Sequence, residues 1–111
     1  MVQYQALDRT FSALSDPTRR DILDRLGRGP ASIGELARPL GMSLTGMKKH
    51  VQILERARLV TTEKVGRTRQ CRLGPEHLED AVQWIQLYRR RWERRLDGLE
   101  SYLGQHRGGR R

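Results

Sequence analysis

Apolar side chains at Ala6, Leu7, Phe11 and Leu14 recur at helical spacing, which predicts a short amphipathic helix over residues 5–15. A second helix is expected over "SDPTRRDILDRLGRG". Asp16 is a suitable N-cap, Pro17 fits the first helical position, and Ile22, Leu23 and Leu26 form an apolar face before Gly27 and Gly29. Ser32 and Glu35 have the spacing of a capping box. Ile33, Leu36, Ala37 and Leu40 then give about two turns of helix, which Pro39 should end or bend early. A tight turn at Gly41 leads to a helix capped by Ser43, with Leu44, Met47, Val51 and Leu54 facing the core.

After Leu59 the period falls from helical to two. Val60 and Thr62, then Cys71 and Leu73, alternate with polar neighbours on either side of Gly66, which predicts a β-hairpin. Pro75 is expected to open a long helix carrying Leu78, Val82, Ile85, Tyr88, Trp92, Leu96, Leu99 and Leu103 at helical spacing. The Gly- and Arg-rich end, residues 105–111, reads as a disordered basic tail behind a domain of residues 1–104. The fold class is therefore mainly α with a small β-hairpin. Its third and fourth helices form a helix-turn-helix and the hairpin forms a wing.

Charge adds a direction to this picture. Lys and Arg number 22 against 13 Asp and Glu, a formal net charge of +9 in 111 residues. The excess is local: residues 43–73 hold eight basic and two acidic side chains, whereas residues 1–42 hold six and five. A cationic surface focused on one helix and one hairpin suits a polyanion, and double-stranded DNA fits a helix-turn-helix. With the apolar stripe of the fourth helix turned inward, Thr45, Lys48, Lys49 and Gln52 point outward. Lysines there reach phosphates or guanine acceptors, and Thr45 and Gln52 can hydrogen-bond bases. Gly46 costs about 1 kcal/mol relative to alanine inside a helix. It is either a tolerated glycine near a helix start or a place where backbone approaches DNA. His50, turned partly inward, reads as a buried or phosphate-bonded histidine rather than a metal ligand. Lys64, Arg67 and Arg69 surround the hairpin tip, where phosphate or the minor groove lies within reach. The residues expected at DNA are thus Ser43, Thr45, Gly46, Lys48, Lys49, His50, Gln52, Lys64, Arg67 and Arg69.

The last helix carries more apolar surface than so small a domain needs. A homodimer is the economical explanation, with Leu7, Phe11, Leu78, Val82, Ile85, Trp92, Leu96 and Leu99 at the contact. Two-fold symmetry would set two recognition helices about 34 Å apart, the spacing of successive major grooves on a pseudo-palindrome.

"ALSDPTRRDILDRL", "IGELARPLGMSLTGMKKHVQILERARLV" and "GRTRQCRL" together resemble the ArsR-type winged helix-turn-helix transcription regulators, over roughly residues 5–103. The resemblance implies a homodimeric DNA-binding protein, usually a repressor. Its recognition helix would fall on Ser43–Arg56 and its wing on Thr61–Arg72. Many members sense metals through a cysteine-containing box on the third helix or Asp/His sets on the last. Here the third helix reads "ELARPLGM", and His77 and His106 stand too far apart for the usual pairing. The chain is therefore similar to the metal-independent subset, and neither a metal nor a cofactor is expected. Members often have serine where Lys48 stands and glycine where Arg58 stands.

Other function classes find less support. No nucleophile elbow, phosphate-cradling glycine loop or paired acid suggests an enzyme. A protein-interaction module, or a small-molecule or redox-responsive regulator using Cys71, are the alternatives. One cysteine excludes an internal disulfide. The absence of an apolar run of membrane-spanning length suggests a cytoplasmic protein without a membrane partner.

Overall fold

Asp16 shows why the first two helices meet where they do. The computed structural model describes the backbone of residues 2–75 and 78–108, with side chains from 5 to 104 within that range. Helix α1 spans Val2–Leu14 and α2 spans Pro17–Leu26. The Asp16 carboxylate accepts the backbone N–H of Arg19, and Pro17 occupies the first turn of α2, where no N–H is needed. The start of α1 lies three residues ahead of the expected one. Its buried positions are Thr10 and Ala13, while Leu7 and Phe11 are half-buried.

Strand β1, Ala31–Ser32, was not expected from the pattern, because two residues carry no periodicity. It pairs antiparallel with a later strand, Ala31 opposite Cys71 and Ser32 opposite Gln70. Ser32 also caps α3, Ile33–Ala37, in the anticipated box. Its hydroxyl accepts the Glu35 N–H, and the Glu35 carboxylate accepts the Ser32 N–H. The helix is shorter than the two turns expected. It tightens into a 3-10 turn, Arg38–Leu40, at Pro39, and Leu40 is exposed rather than buried. Gly41, at φ 62°, closes the turn: the Met42 N–H reaches the Ala37 carbonyl and the Gly41 N–H reaches the Arg38 carbonyl. Helix α4 then runs Leu44–Arg56.

The end of α4 repeats this construction with a different residue. Leu59 N–H donates to Leu54 O and Arg58 N–H to Glu55 O, which puts Arg58 at the left-handed position with φ 63°. Immediately afterwards come β2, Val60–Val65, and β3, Thr68–Leu73, joined by a two-residue turn that starts at Gly66 with φ 62°. The sheet order is β1-β3-β2, all antiparallel, with Val60 opposite Leu73 and Thr62 opposite Cys71. Of the alternating pair Cys71 and Leu73, Cys71 is buried and Leu73 exposed. Gly74 lies so close to the Arg58 carbonyl that a Cβ there would collide with it, and its N–H donates to Leu59 O.

The core of this unit joins Ile22 and Leu26 of α2, Ile33 and Leu36 of α3, Met47, Val51 and Leu54 of α4, and Val60 and Cys71 of the sheet. Of the four apolar positions expected to bury α4, Leu44 does not: it is 55% exposed, whereas Met47 and Leu54 are 0% exposed.

The chain divides into two units, one ending at Glu79 and the other beginning at Asp80. Helix α5, Glu79–Gly108, begins on the last residue of the first unit and makes up the described part of the second. Helix begins after Pro75 rather than at it, and Leu78, at φ 65°, precedes it and packs against the core of the first unit. Leu78, expected on the dimer stripe, is thus partly buried against that core. Helix continues through 105–108, the start of the segment expected as a disordered tail; residues 109–111 of that tail lie outside the described residues. Val82, Ile85, Trp92, Leu96 and Leu99 of α5 are all exposed, beside Trp84 and Tyr88, whose rings stack at 5.3 Å. Among the described residues no helix is long and apolar enough to cross a membrane.

A non-glycine residue in the left-handed region loses roughly 1–2 kcal/mol to contact between Cβ and the backbone. Arg58→Gly should therefore raise stability by about 1 kcal/mol, measured by urea unfolding, the remainder being offset by the greater freedom of glycine in the unfolded chain.

Candidate nucleic-acid interface

Which face of α4 is presented depends on which is tied down. At about 100° per residue, Thr45, Lys48, Lys49 and Gln52 fall within an arc of roughly 100° opposite the Met47–Val51–Leu54 stripe. All four are exposed. Leu44 adjoins the arc on the Lys48 side.

His50 lies elsewhere. It sits roughly 160° around the helix from Lys48 and is half-buried, with the Arg19 guanidinium 3.2 Å from its Nδ1. Arginine can only donate, so Nδ1 accepts and the neutral ring carries its proton on Nε2. Asp16 Oδ2 stands 3.8 Å from the same nitrogen, near enough to pair with the ring when protonated. The structure thus brings His50 to the α1–α2 junction, apart from Thr45, Lys48, Lys49 and Gln52.

The "DPTRR" segment gains a physical meaning here. Arg19 donates from Nε to Ala13 O at 2.9 Å and from Nη2 to Ser12 O at 3.0 Å, while Arg20 donates to Leu14 O at 2.7 Å. The orphan carbonyls at the end of α1 are thereby satisfied by two cations placed at the negative end of its dipole. With its remaining nitrogen Arg19 ties that junction to α4. The Arg19 N–H, donated to the Asp16 carboxylate, holds this acid below the usual carboxylate range; the Ser32 N–H and then its hydroxyl do the same for Glu35. Both caps contribute above the ordinary carboxylate range, and their contribution is lost as pH falls through the lowered folded-state values.

Gly46 and Ser43 act in the cap. The Ser43 hydroxyl accepts the Gly46 N–H at 3.0 Å, and a Cβ on Gly46 would lie 3.2 Å from that oxygen and 3.5 Å from Met42 Cε. A side chain at Gly46 would crowd the cap. Its position on the helix is away from the exposed arc.

The wing is tied to the recognition helix by a relay that was not anticipated. Arg69 Nε donates to Thr62 Oγ1 at 3.1 Å, and that hydroxyl donates to Glu55 Oε2 of α4 at 2.8 Å. Arg69 is thus partly a structural residue of the β2–β3 ladder, where it stands opposite Lys64. Arg72 and Glu63 pair at 3.5 Å on the same hairpin. Between wing and helix-turn-helix opens a slot of about 590 Å³, walled by Arg38, Leu44, Lys48, Lys64, Arg67 and Arg69, among others. Arg38 was missed from the sequence. Its separation from the lysines along the chain concealed that the turn at Gly41 returns it beside them.

Cys71 is 0% exposed, and burial, followed by the Glu55 charge, pushes its thiol up to about 11. A thiolate is therefore scarce near neutrality, and the geometry gives Cys71 a packing role rather than the redox role held open for it. Among the described residues no group of three or more His, Cys, Asp or Glu could hold a metal ion; His77 lies outside them.

Residues 14–63 match the family model described as a helix-turn-helix domain. The HTH-type transcriptional regulator Rv2034 of Mycobacterium tuberculosis is 39% identical over 93% of this chain and 94% of its own length. The transcriptional repressor SdpR of Bacillus subtilis is 32% identical over 71% and 88%. An ArsR-like transcriptional regulator from Rhodococcus sp. RHA1 shares the fold at a TM-score of 0.78 and 33% identity, covering 92% of this chain and 94% of that one. The chain belongs to the ArsR-type winged helix-turn-helix regulators. These are DNA-binding transcriptional regulators rather than enzymes, so α4 is the recognition helix and β2–β3 the wing of such a protein. A further ArsR-type neighbour is described as a homodimeric winged helix-turn-helix DNA-binding domain from Mycobacterium bovis, at 26% identity and a TM-score of 0.64, over 77% of this chain and 79% of that one.

Two outcomes follow. Arg19→Ala strips donors from two carbonyls and His50 at a half-buried site and should cost roughly 1–3 kcal/mol in urea unfolding; Arg19→Lys should recover only part of this, because an ammonium cannot span three acceptors. The Cys71 thiol should resist a chromogenic thiol reagent in the native protein at pH 8 and react at once in denaturant.

Proposed function

We propose that this protein works as a homodimeric repressor on a pseudo-palindromic duplex site. Each α4 lies in a major groove and each wing on the flanking backbone or minor groove. The observation that carries this reading is the slot between wing and recognition helix. Its cations come from three separate elements, Arg38 beside α3, Lys48 on α4, and Lys64, Arg67 and Arg69 on the wing. Cations converging from distant parts of a chain repel one another, a cost to the fold even though Arg69 also ties the wing to α4 through Thr62. They suit a phosphodiester strand crossing from one groove to the next. Lys48 and Lys49 add charge on the exposed arc, and Thr45 and Gln52 supply donors and acceptors for base edges.

Support for the pairing comes from α5. It extends about 45 Å, and Ile85, Trp92, Leu96 and Leu99 form one exposed apolar stripe along it. A second copy presenting the same stripe buries both, as two-fold symmetry requires. Leu7 and Phe11 of α1 and Val82 of α5 supply further apolar surface. Repression is the activity named for the similar SdpR.

Lys48→Ala and Lys49→Ala should each leave folding intact and weaken binding to a duplex selected from a random pool. Each should also flatten the plot of log affinity against log salt by about 0.9. Titration by fluorescence anisotropy at several salt concentrations measures both effects, and stoichiometric titration should find two protomers per duplex. Salt-independent binding, or one protomer per site, would refute the reading.

A further inference from the structure

We propose that Leu44 is a specificity-determining residue that reads the C5-methyl group of a thymine in the major groove, an inference that rests on the DNA-binding reading above. Leu44 is the first residue of α4, and the leading residues of such a helix are those that meet base edges. Its helical position would put it in the core stripe, yet it is 55% exposed while Met47, Val51 and Leu54 are almost wholly buried. On α3, Gly34 offers no side chain to cover it: a Cβ there would stand 4.0 Å from Leu44 Cδ2. The slot it lines also holds Ile33 and Glu35 of α3 and the cations Arg38, Lys48, Lys64 and Arg67.

A leucine left more than half exposed at the rim of such a slot gains only part of the stability of full burial. At a base edge it has a definite partner. Of the groups displayed in the major groove, the thymine methyl is the apolar one. Against cytosine the same leucine would strip water from the N4 amine without offering an acceptor, which is unfavourable. Leu44 thus complements Thr45 and Gln52, which read polar groups from the neighbouring part of the arc.

The test begins with duplexes selected from a random pool by the full-length protein at moderate salt. Each thymine of the selected site is then replaced, one at a time, by deoxyuridine, which pairs identically and lacks the methyl. Affinities are compared for the wild type, Leu44→Ala and Leu44→Met. One thymine in each half-site should lose roughly fourfold in wild-type affinity on replacement, the value of one buried carbon. Leu44→Ala should bind thymine and uracil duplexes equally well there, and Leu44→Met should keep part of the preference. A wild type indifferent to every replacement overturns the assignment, and that arm needs no variant. A Leu44→Ala protein as sensitive as the wild type overturns it too. Failure to select any duplex would overturn the regulator reading itself, whereas a selected site indifferent to methyl removal defeats the Leu44 assignment alone.

Discussion

Burial of one stripe of α4 is the constraint on which the remaining structure depends. Met47, Val51 and Leu54 are removed from water at the junction of α2, α3 and the sheet. Full burial of such side chains contributes about 1.5–3 kcal/mol each, so the three together rival the net stability of a typical domain. The rotation of the helix about its axis is therefore not free. With the stripe inward, Thr45, Lys48, Lys49 and Gln52 face outward, and any rotation that hid the lysines would expose the core. The hydrophobic effect thus sets which residues of α4 face solvent.

Polar ties refine what burial leaves loose. Arg19 links the end of α1 to His50, and the Arg69–Thr62–Glu55 relay links wing to recognition helix. Neither needs to be strong in net terms, since each exchanges protein hydrogen bonds for water. Their value is directional: a planar guanidinium satisfies several acceptors at fixed angles, so two elements that meet on it hold a set orientation. The same cations that would be read from composition as DNA contacts therefore include some that position the fold. Arg69 does one job through Nε and lines the slot with the rest of its side chain.

The two left-handed turns show the economy of the helix-turn-helix and of the entry to the wing. At Gly41 and at Arg58 the chain uses the same pair of backbone hydrogen bonds to reverse out of a helix. Glycine takes that conformation without strain. Arg58 takes it against a steric cost, held by the core on one side and by Gly74 pressed against its carbonyl on the other.

Much of this was legible in the chain itself. Period, caps and turn residues located α2, α3, α4 and the hairpin, because those signals depend on neighbours three or four residues away and on local backbone preference. Charge clustering within residues 43–73 marked the cationic helix and hairpin for the same local reason. What the chain alone left undecided involves residues brought together from afar. The two-residue β1 exists because β3 lies beside it; His50 turns to Arg19, 31 positions away; and Arg38 joins the wing cations across a turn. Leu44 is the sharpest instance. Helical periodicity assigned it to the core, and only the extent of the packed surface around α4 decided that the core ends one turn short of it. A repeat in sequence specifies direction around a helix, whereas burial depends on whether another element is there to cover it.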